Sequence, residues 1–167
     1  MINKRNLASV CGLYCGACGV YIATQENDVE KMQNIAKTLN QTLEETWCDG
    51  CGSERKSAYC SKKCTFIKCA KEKNIEFCGS CNEYPCEQLK DFQSKMPHRL
   101  ELWQSLQRIK ETGWENWSDE MIAHYTCQNC NTINGAYHIA CRKCGNTPSC
   151  NFVASHKAKI MNFLENR

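Results

Sequence analysis

Pairs of cysteines separated by two residues constrain this chain more than any other feature of its sequence. There are sixteen cysteines in 167 residues, and most stand in five such pairs: Cys15/Cys18, Cys48/Cys51, Cys78/Cys81, Cys127/Cys130 and Cys141/Cys144. Two intervening residues let both thiolates point at one metal ion while backbone N–H groups bond to the sulfurs. Glycine, which suits a positive φ at the end of such a turn, follows three of the pairs. The pattern predicts metal binding rather than a disulfide scaffold.

Composition and charge agree with a small protein held together by metal. The length fits one domain or two small ones, and Leu, Ile, Val and Phe are sparse, so we expect no large apolar core. The N-terminus has no apolar run typical of a signal peptide or membrane span, which predicts a cytoplasmic protein without membrane contact. The formal charge is +3 with neutral cysteines, but each four-thiolate zinc unit carries a net charge of about −2. The mild basicity is therefore no argument for nucleic acid.

Apolar periodicity and capping residues predict a mainly α-helical fold with small metal-stapled loops. We expect helices over 28–47, 66–73, 85–95, 97–113, 119–125 and 155–165. Short strands are expected only near the cysteine pairs and within 126–140. The predicted organisation is a cysteine-rich zinc-binding domain, a helical connector, a zinc ribbon or finger with short hairpins, and a C-terminal helix, at 1–95, 96–124, 125–150 and 151–167.

The segment "YTCQNCNTINGAYHIACRKCG" carries the most specific motif. Its C-x2-C-x10-C-x2-C spacing suits one closed tetrahedral zinc site, made by Cys127, Cys130, Cys141 and Cys144. Asn134 lies between the two pairs, and the segment resembles the RanBP2-type zinc finger, in which an asparagine bonds across the loop. Tyr125 stands where that family has tryptophan. The resemblance implies two short hairpins around one zinc ion.

Some RanBP2-type fingers bind RNA and others bind ubiquitin, but the residues for either activity differ here. Gly135 stands where the RNA-binding members have a stacking aromatic, and Tyr137 and His138 replace the paired arginines. Asn131 and Thr132 replace the Thr-Phe of the ubiquitin-binding members. We therefore expect a structural finger or one that contacts a protein.

Residues 11–86 hold eleven cysteines, whose partition among sites the sequence leaves open. Our preferred grouping joins Cys48/Cys51 to two of Cys60, Cys64 and Cys69. It joins Cys15/Cys18 to Cys78/Cys81, with Cys11 and Cys86 as substitute ligands. An iron–sulfur site or a reactive thiol at Cys11 or Cys86 is the alternative. The ordered words "CGLYCGACGVYIAT", "CDGC" and "CTFIKCAKEKNIEFCGSCNEYPCEQL" resemble a cysteine-rich prokaryotic domain of unknown function, number 3795, over about residues 10–90. That resemblance implies metal-binding cysteines in an intracellular prokaryotic protein and no particular reaction.

The C-x3-C-x2-C spacing of Cys11, Cys15 and Cys18 is also that of enzymes that cleave S-adenosylmethionine by radical chemistry. Such enzymes need a barrel of repeated strand–helix units around the cluster. This chain lacks that repeat, and Ala17 stands where an aromatic residue is usual. We expect no such activity.

Residues 54–73 form a basic stretch that contains Cys60, Cys64 and Cys69, and the aromatic residues Tyr59 and Phe66 lie between its charges. Its basic residues are Arg55, Lys56, Lys62, Lys63, Lys68, Lys71 and Lys73. Lysines on phosphates and aromatics on bases would make a nucleic-acid face. We favour instead a solvated surface beside anionic metal–thiolate sites. The four histidines, His98, His124, His138 and His156, are scattered, and we expect ordinary surface or packing roles for them.

Taken together, the sequence favours a small cytoplasmic protein with two to three structural zinc ions that recognises a partner, a protein rather than nucleic acid. The class left open beside it is an iron–sulfur or reactive-thiol redox protein or enzyme that uses the cysteines of 11–86.

Overall fold

The computed structural model describes residues 3–166 and is mainly helical, which confirms the predicted fold class. The described residues form no strand, only isolated bridges between Ala8 and Tyr14 and between Thr126 and Ile133. Short 3-10 turns occupy Cys15–Ala17, Cys78–Ser80 and Pro97–Arg99, and a π turn occupies Tyr59–Lys63. The α-helices are α1 (Lys4–Leu7), α2 (Gly19–Gln25), α3 (Val29–Leu39), α4 (Leu43–Thr46), α5 (Thr65–Glu72), α6 (Glu87–Ser94), α7 (Leu102–Tyr125) and α8 (Asn151–Glu165).

The single helix predicted over 28–47 is divided into α3 and α4. Asp28 caps α3 by accepting a hydrogen bond from the Lys31 backbone N–H. Asn40 ends the helix with a left-handed φ of 53°, and Thr42 opens α4 through a capping box with Glu45. The apolar period continues across this break because α3 and α4 pack against each other, so periodicity alone did not reveal it.

Gly113 interrupts α7, where the sequence predicts a helix end. Its φ of 81° is not helical, and glycine adopts such a conformation without the steric cost of a side chain. The helix resumes at once rather than at the predicted residue 119, and Ser118 is buried inside its second half. Arg108 and Glu120 form an ion pair across the break, with the nearest nitrogen and oxygen 2.7 Å apart.

One hydrophobic core draws on residues from all four predicted segments. It includes Leu7 from α1, Tyr14 from the loop before Cys15, Trp117 from α7, and Phe152 from α8. The Trp117 and Phe152 side chains are 0% exposed. Because the helices share this core, the loops that carry the cysteines are held relative to one another. The domain boundaries themselves stay a prediction, and Met1, Ile2 and Arg167 lie outside the described residues.

Two glycines bring cysteine-bearing loops against α7. Gly12 has a φ of 87°, and a Cβ there would lie 2.7 Å from the Leu106 side chain. A Cβ on Gly79, inside the Cys78–Ser80 turn, would lie 3.2 Å from the Leu106 backbone oxygen. Helix α7 therefore serves as a platform for both loops. No helix within residues 3–166 is both long and apolar enough to cross a membrane.

Candidate metal centre

The four cysteines of the C-terminal finger converge on one point. Their sulfur atoms all lie within 4.8 Å of one another. The Cys127 and Cys144 sulfurs are 3.7 Å apart, and the Cys130 and Cys141 sulfurs are 3.6 Å apart. A tetrahedron with zinc–sulfur bonds of about 2.3 Å has sulfur–sulfur edges of about 3.8 Å, whereas a disulfide bond is about 2.0 Å long. The donor set and its spacing fit a four-thiolate zinc ion.

Tight turns place the two cysteine pairs around this point. Cys127 N–H donates to the Thr132 oxygen, and Cys141 N–H donates to the Asn146 oxygen, at 2.9 and 2.8 Å. Asn131 and Gly145, which directly follow the pairs, have positive φ values of 57° and 73°. The positive φ expected of a glycine after a cysteine pair is therefore found at Gly145. It is not found at Gly19 or Gly52, because Gly19 begins α2 and the left-handed glycine of the 48–51 turn is Gly50.

Asn134 ties the two halves of the finger together from its centre. Its side chain is 0% exposed. Its amide nitrogen donates to the Thr132 oxygen at 2.9 Å and to the Ser149 oxygen at 3.2 Å, and it lies 3.5 Å from the Cys141 sulfur. Its amide oxygen accepts from the Arg142 backbone N–H at 3.1 Å. The bonding of an asparagine across the loop, which the RanBP2-type resemblance implies, is present.

Electrostatics at the finger favour the thiolate form that a metal needs. Burial by itself would raise the pKa of Cys141, but N–H donors from Cys144, Lys143 and Asn134 outweigh it and lower that pKa to about 6. A hydrogen bond from Asn129 lowers the pKa of Cys144. Burial raises the pKa of Cys127. The pKa values of two of the four ligands are thus lowered, which favours their thiolate form before any ion binds.

The loop that binds RNA in some RanBP2-type fingers is used inside this fold. A Cβ on Gly135 would lie 2.9 Å from the Ala17 backbone oxygen, so the finger touches the turn that holds Cys15 and Cys18. The Tyr137 hydroxyl lies 2.7 Å from His98 Nδ1, and Gly135 N–H donates to His138 Nδ1 at 2.9 Å. Gly135 and Tyr137 thus connect the finger to the rest of the protein, and His138 braces the loop from within.

In the N-terminal half, the Cys15/Cys18 and Cys48/Cys51 pairs lie beside each other. Cys51 N–H donates to the Cys15 sulfur at 3.4 Å. Burial raises the pKa of Cys15 well above its usual value, and negative charge on Cys51, Cys18 and Cys48 raises it further. Cys60 lies near the same group, since burial and the charges of Cys48, Cys18 and Cys51 raise its pKa to about 12.

A second group of thiols gathers around Cys78. Burial raises the pKa of Cys78 to about 12, with further contributions from negative charge on Cys11, Cys69, Cys86 and Cys81. Cys78 N–H donates to the Val10 oxygen at 2.8 Å. The grouping favoured by sequence joins Cys15/Cys18 to Cys78/Cys81, and the partition of these thiols among metal sites stays a prediction. Cys15 and Cys51 are neighbours because the 48–51 turn folds back onto α2, a long-range contact that no local pattern encodes.

Cys11 is a poor candidate for a reactive thiol. Its side chain is buried, and burial raises its pKa to about 11 despite a contact of 3.4 Å with the Ser9 hydroxyl. A free thiol in this position stays protonated at neutral pH, whereas nucleophilic cysteines are thiolates. Cys64 and Cys69 are half-buried, as is Cys86, the other cysteine considered for this role.

Comparison with known proteins identifies the N-terminal half. The sequence profile of a family described as "Protein of unknown function (DUF3795)" matches residues 7–91, which is just over half of the chain. The chain belongs to the DUF3795 family. No curated protein and no solved structure matches it significantly. The matched region contains both N-terminal groups of thiols, and the finger lies C-terminal to residue 91.

Within the DUF3795 region, much of the basic stretch is paired with acidic side chains. Arg55 donates to both Asp49 oxygens, at 2.7 and 2.8 Å. Lys62 pairs with Glu45, Lys68 with Glu72, and Lys73 with Glu83. Lys73 Nζ also lies 3.7 Å from the Cys81 sulfur. These contacts match the expected solvated surface beside thiolates, although such exposed pairs stabilise a protein only slightly.

Outside the DUF3795 region, the structure assembles a cluster that sequence reasoning missed. Glu101 binds His124 Nε2 through one oxygen at 2.8 Å and His156 Nε2 through the other at 2.7 Å. Burial would raise the pKa of Glu101, but the two histidines outweigh it and lower that pKa. All three side chains are half-buried at the contact of α7 with α8. Their separation along the chain left no local signal.

Proposed function

We propose that this chain is a small zinc protein in which metal–thiolate sites hold the fold, and the surface they rigidify recognises a partner protein. The observation that carries the metal assignment is the finger, whose four cysteine sulfurs lie at the spacing of a tetrahedral zinc site. Zinc is a better fit than an iron–sulfur cluster here, because four thiolates this close leave room for one ion and not for several. The cytoplasmic location and prokaryotic origin that the sequence suggested belong to the same proposal.

The position of the finger supports a structural rather than a nucleic-acid-binding role. Gly135 and Tyr137 face the DUF3795 region and the 97–99 turn, so the loop that would meet RNA bases lies against the protein itself. Arg142 pairs with Glu26 at the end of α2. A zinc ion here would supply the folding free energy for a unit of about twenty residues, and would thereby dock the C-terminal half onto the N-terminal half.

The contacts of the four histidines support a binding role for this protein rather than a catalytic one. His98 contacts Tyr137, His138 contacts the Gly135 backbone, and His124 and His156 share Glu101. Each imidazole is thus used to hold elements of the fold together. The metal sites would be closed four-thiolate sites, which leave no open position for a substrate.

Anaerobic purification, followed by elemental analysis and an optical spectrum, tests the metal assignment. We expect two to three equivalents of zinc per chain and no sulfide. Iron with sulfide and broad visible absorbance would instead support an iron–sulfur protein that uses cysteines of 11–86. A protein that lacks both metals and keeps a cooperative fold would contradict both metal assignments and leave the reactive-thiol alternative.

Gel filtration of the protein from its native cells tests partner recognition. The chain has a mass of 19.1 kDa, and we expect it to elute in a larger complex whose second protein is identified by mass spectrometry. Removal of the metal with a chelator should release that protein. Elution at the monomer mass, with no second protein at equal stoichiometry, would contradict the proposal. Sensitivity of the complex to nuclease would favour nucleic acid as the partner.

A further inference from the structure

We propose that Cys15, Cys18, Cys48 and Cys51 are the ligands of one metal centre in the N-terminal half, distinct from both the finger and the thiols around Cys78. The inference rests on the proposed metal binding of this half and names which thiols share a site. The proposed site would bind a metal that prefers thiolate ligands, either as a single zinc ion or as an iron–sulfur cluster.

Backbone hydrogen bonds reach the sulfur atoms of three of these four cysteines. The Cys15 sulfur accepts from the Cys51 backbone N–H at 3.4 Å. The Cys18 sulfur accepts from the N–H groups of Val20 and Tyr21 at the start of α2, and the Cys51 sulfur accepts from that of Val10. Backbone N–H groups that point at sulfur are typical of metal-binding cysteine turns, because they stabilise the thiolate. Cys60, by contrast, is bonded to the Ser57 side chain.

The two pairs are brought together by contacts that fix the backbone on both sides. Cys48 N–H donates to Thr24 Oγ1 in α2 at 3.1 Å. Gly52 N–H donates to the Asn6 oxygen in α1 at 3.2 Å. Helix α2 begins directly after Cys18, so the element that carries one pair anchors the other.

Gly50 shows how closely the 48–52 turn approaches α1. Its φ is 103°, and a Cβ there would lie 2.2 Å from the Asn6 backbone oxygen. Only glycine fits at this position, both for its conformation and for its space. The central glycine of "CDGC" is thus explained by the close docking of the 48–52 turn on α1, which holds the Cys48/Cys51 pair in place.

The four thiols form a wider group than the finger. Within residues 3–166, the finger is the one set of metal-ligating side chains whose donor atoms all lie within 4.8 Å. The four N-terminal sulfurs are neighbours, since the Cys51 N–H lies 3.4 Å from the Cys15 sulfur, but they are less tightly gathered than those of the finger. They would either close around a single zinc ion or surround a four-iron cluster, whose irons and sulfides keep the cysteine ligands further apart.

Metal stoichiometry in single and double variants of the full-length protein tests the grouping. Cys15→Ser and Cys48→Ser should each lose the same centre, so the double variant should lose no more metal than either single one. Cys78→Ser should lose a different centre, and its loss should add to that of Cys15→Ser. Cys60→Ser should keep all metal. Elemental analysis counts zinc, iron and sulfide in each protein and so separates the two kinds of centre.

The grouping favoured by sequence predicts the reverse, and the experiment separates them. Additive losses for Cys15→Ser with Cys48→Ser, or non-additive losses for Cys15→Ser with Cys78→Ser, would overturn the inference. Wild-type protein that contains metal only at the finger, removed by Cys141→Ser, would overturn metal binding in the N-terminal half altogether, and so separates that failure from a wrong grouping.

A second measurement needs no variant and so does not depend on their folding. Wild-type protein is treated with a limiting chelator, and newly exposed thiols are alkylated and located by mass spectrometry. Cys15, Cys18, Cys48 and Cys51 should become reactive together, in a step separate from Cys78 and Cys81. Alkylation of Cys15/Cys18 together with Cys78/Cys81, while Cys48/Cys51 stay protected, would contradict the site.

Discussion

Tyr14 and Tyr125 stack with ring centroids 5.8 Å apart and an interplanar angle of 23°. Tyr14 directly precedes Cys15, and Tyr125 lies two residues before Cys127. Tyr125 stacks in turn on Phe152 of α8, and the edge of Trp117 meets Tyr14. The two cysteine-rich segments are therefore joined through buried aromatic rings as well as through the backbone.

Truncation of Tyr14 should destabilise both halves of the protein. Tyr14→Ala removes a buried ring that contacts Trp117 and Tyr125, and should lower the free energy of unfolding by about 3 kcal/mol. Tyr14→Phe is the matched control, since no described protein group bonds to the buried hydroxyl. It should change stability by less than about 1 kcal/mol. Urea unfolding of metal-loaded protein measures both, and equal losses in the two variants would show that the hydroxyl matters rather than the ring.

Loss of one finger ligand should remove one metal ion. Cys141→Ser replaces the thiolate whose pKa is already lowered to about 6, and we expect one equivalent of zinc to be lost together with the order of residues 127–146. Cys150→Ser is the control, because Cys150 is also a buried cysteine but lies outside the four-sulfur group. Elemental analysis and amide exchange report the result. Full zinc content in Cys141→Ser would contradict the assignment.

Removal of the buried Asn134 amide should lower both the stability of the protein and its affinity for zinc. Asn134→Ala leaves the Arg142 N–H and the Ser149 oxygen without the Asn134 side chain and removes one of two donors to the Thr132 oxygen, which should cost about 2–3 kcal/mol. Since the amide also approaches the Cys141 sulfur, zinc affinity should fall by about tenfold to a hundredfold.

Asn146→Ala provides the comparison for Asn134. The Asn146 side chain is exposed and bonds only to the Pro148 oxygen among the described groups. Its removal should change stability by less than about 0.5 kcal/mol. Competition with a zinc indicator measures affinity in both variants, and equal affinities would argue that Asn134 merely fills space.

Stability should fall in mild acid through His98. Burial first, and then the charge of Arg99, lower the pKa of His98 to about 4. Arg99 donates to Nε2 at 3.2 Å, so Nδ1 carries the proton toward Tyr137. In the unfolded chain the pKa of this histidine is about 6.5. The unfolded state therefore binds more protons between these values, and the stability present above pH 6.5 is lost as pH falls toward 4.

The expected loss from His98 between about pH 7 and pH 5 is about 2 kcal/mol. Because protonation of metal-binding thiolates also weakens the protein in acid, the measurement compares wild type with His98→Gln. Urea unfolding at both pH values should show a smaller change in His98→Gln by about that amount. The same pH dependence in both proteins would mean that His98 titrates normally in the folded state.

Sequence reasoning found the features that depend on near neighbours. The four cysteines of the finger were predicted together, because their spacing is set by two local turns and a short loop. The break at Gly113, where a predicted helix ends, was found for the same reason. At Asn40 the apolar periodicity continues across the end of α3, so the sequence predicted one helix where the structure has two.

Contacts between residues far apart in the sequence left no local pattern from which they could be predicted. The sequence by itself determined that thiolates would be presented in pairs, because the C-x2-C turn is closed by its own backbone, and that the chain would be mainly helical. Only the tertiary structure decided which pairs stand together. Cys15 meets Cys51 because the 48–52 turn docks on α1 and α2, and Glu101 meets His124 and His156 because α7 packs on α8. Such pairings follow from the whole core, since each depends on where distant helices come to rest.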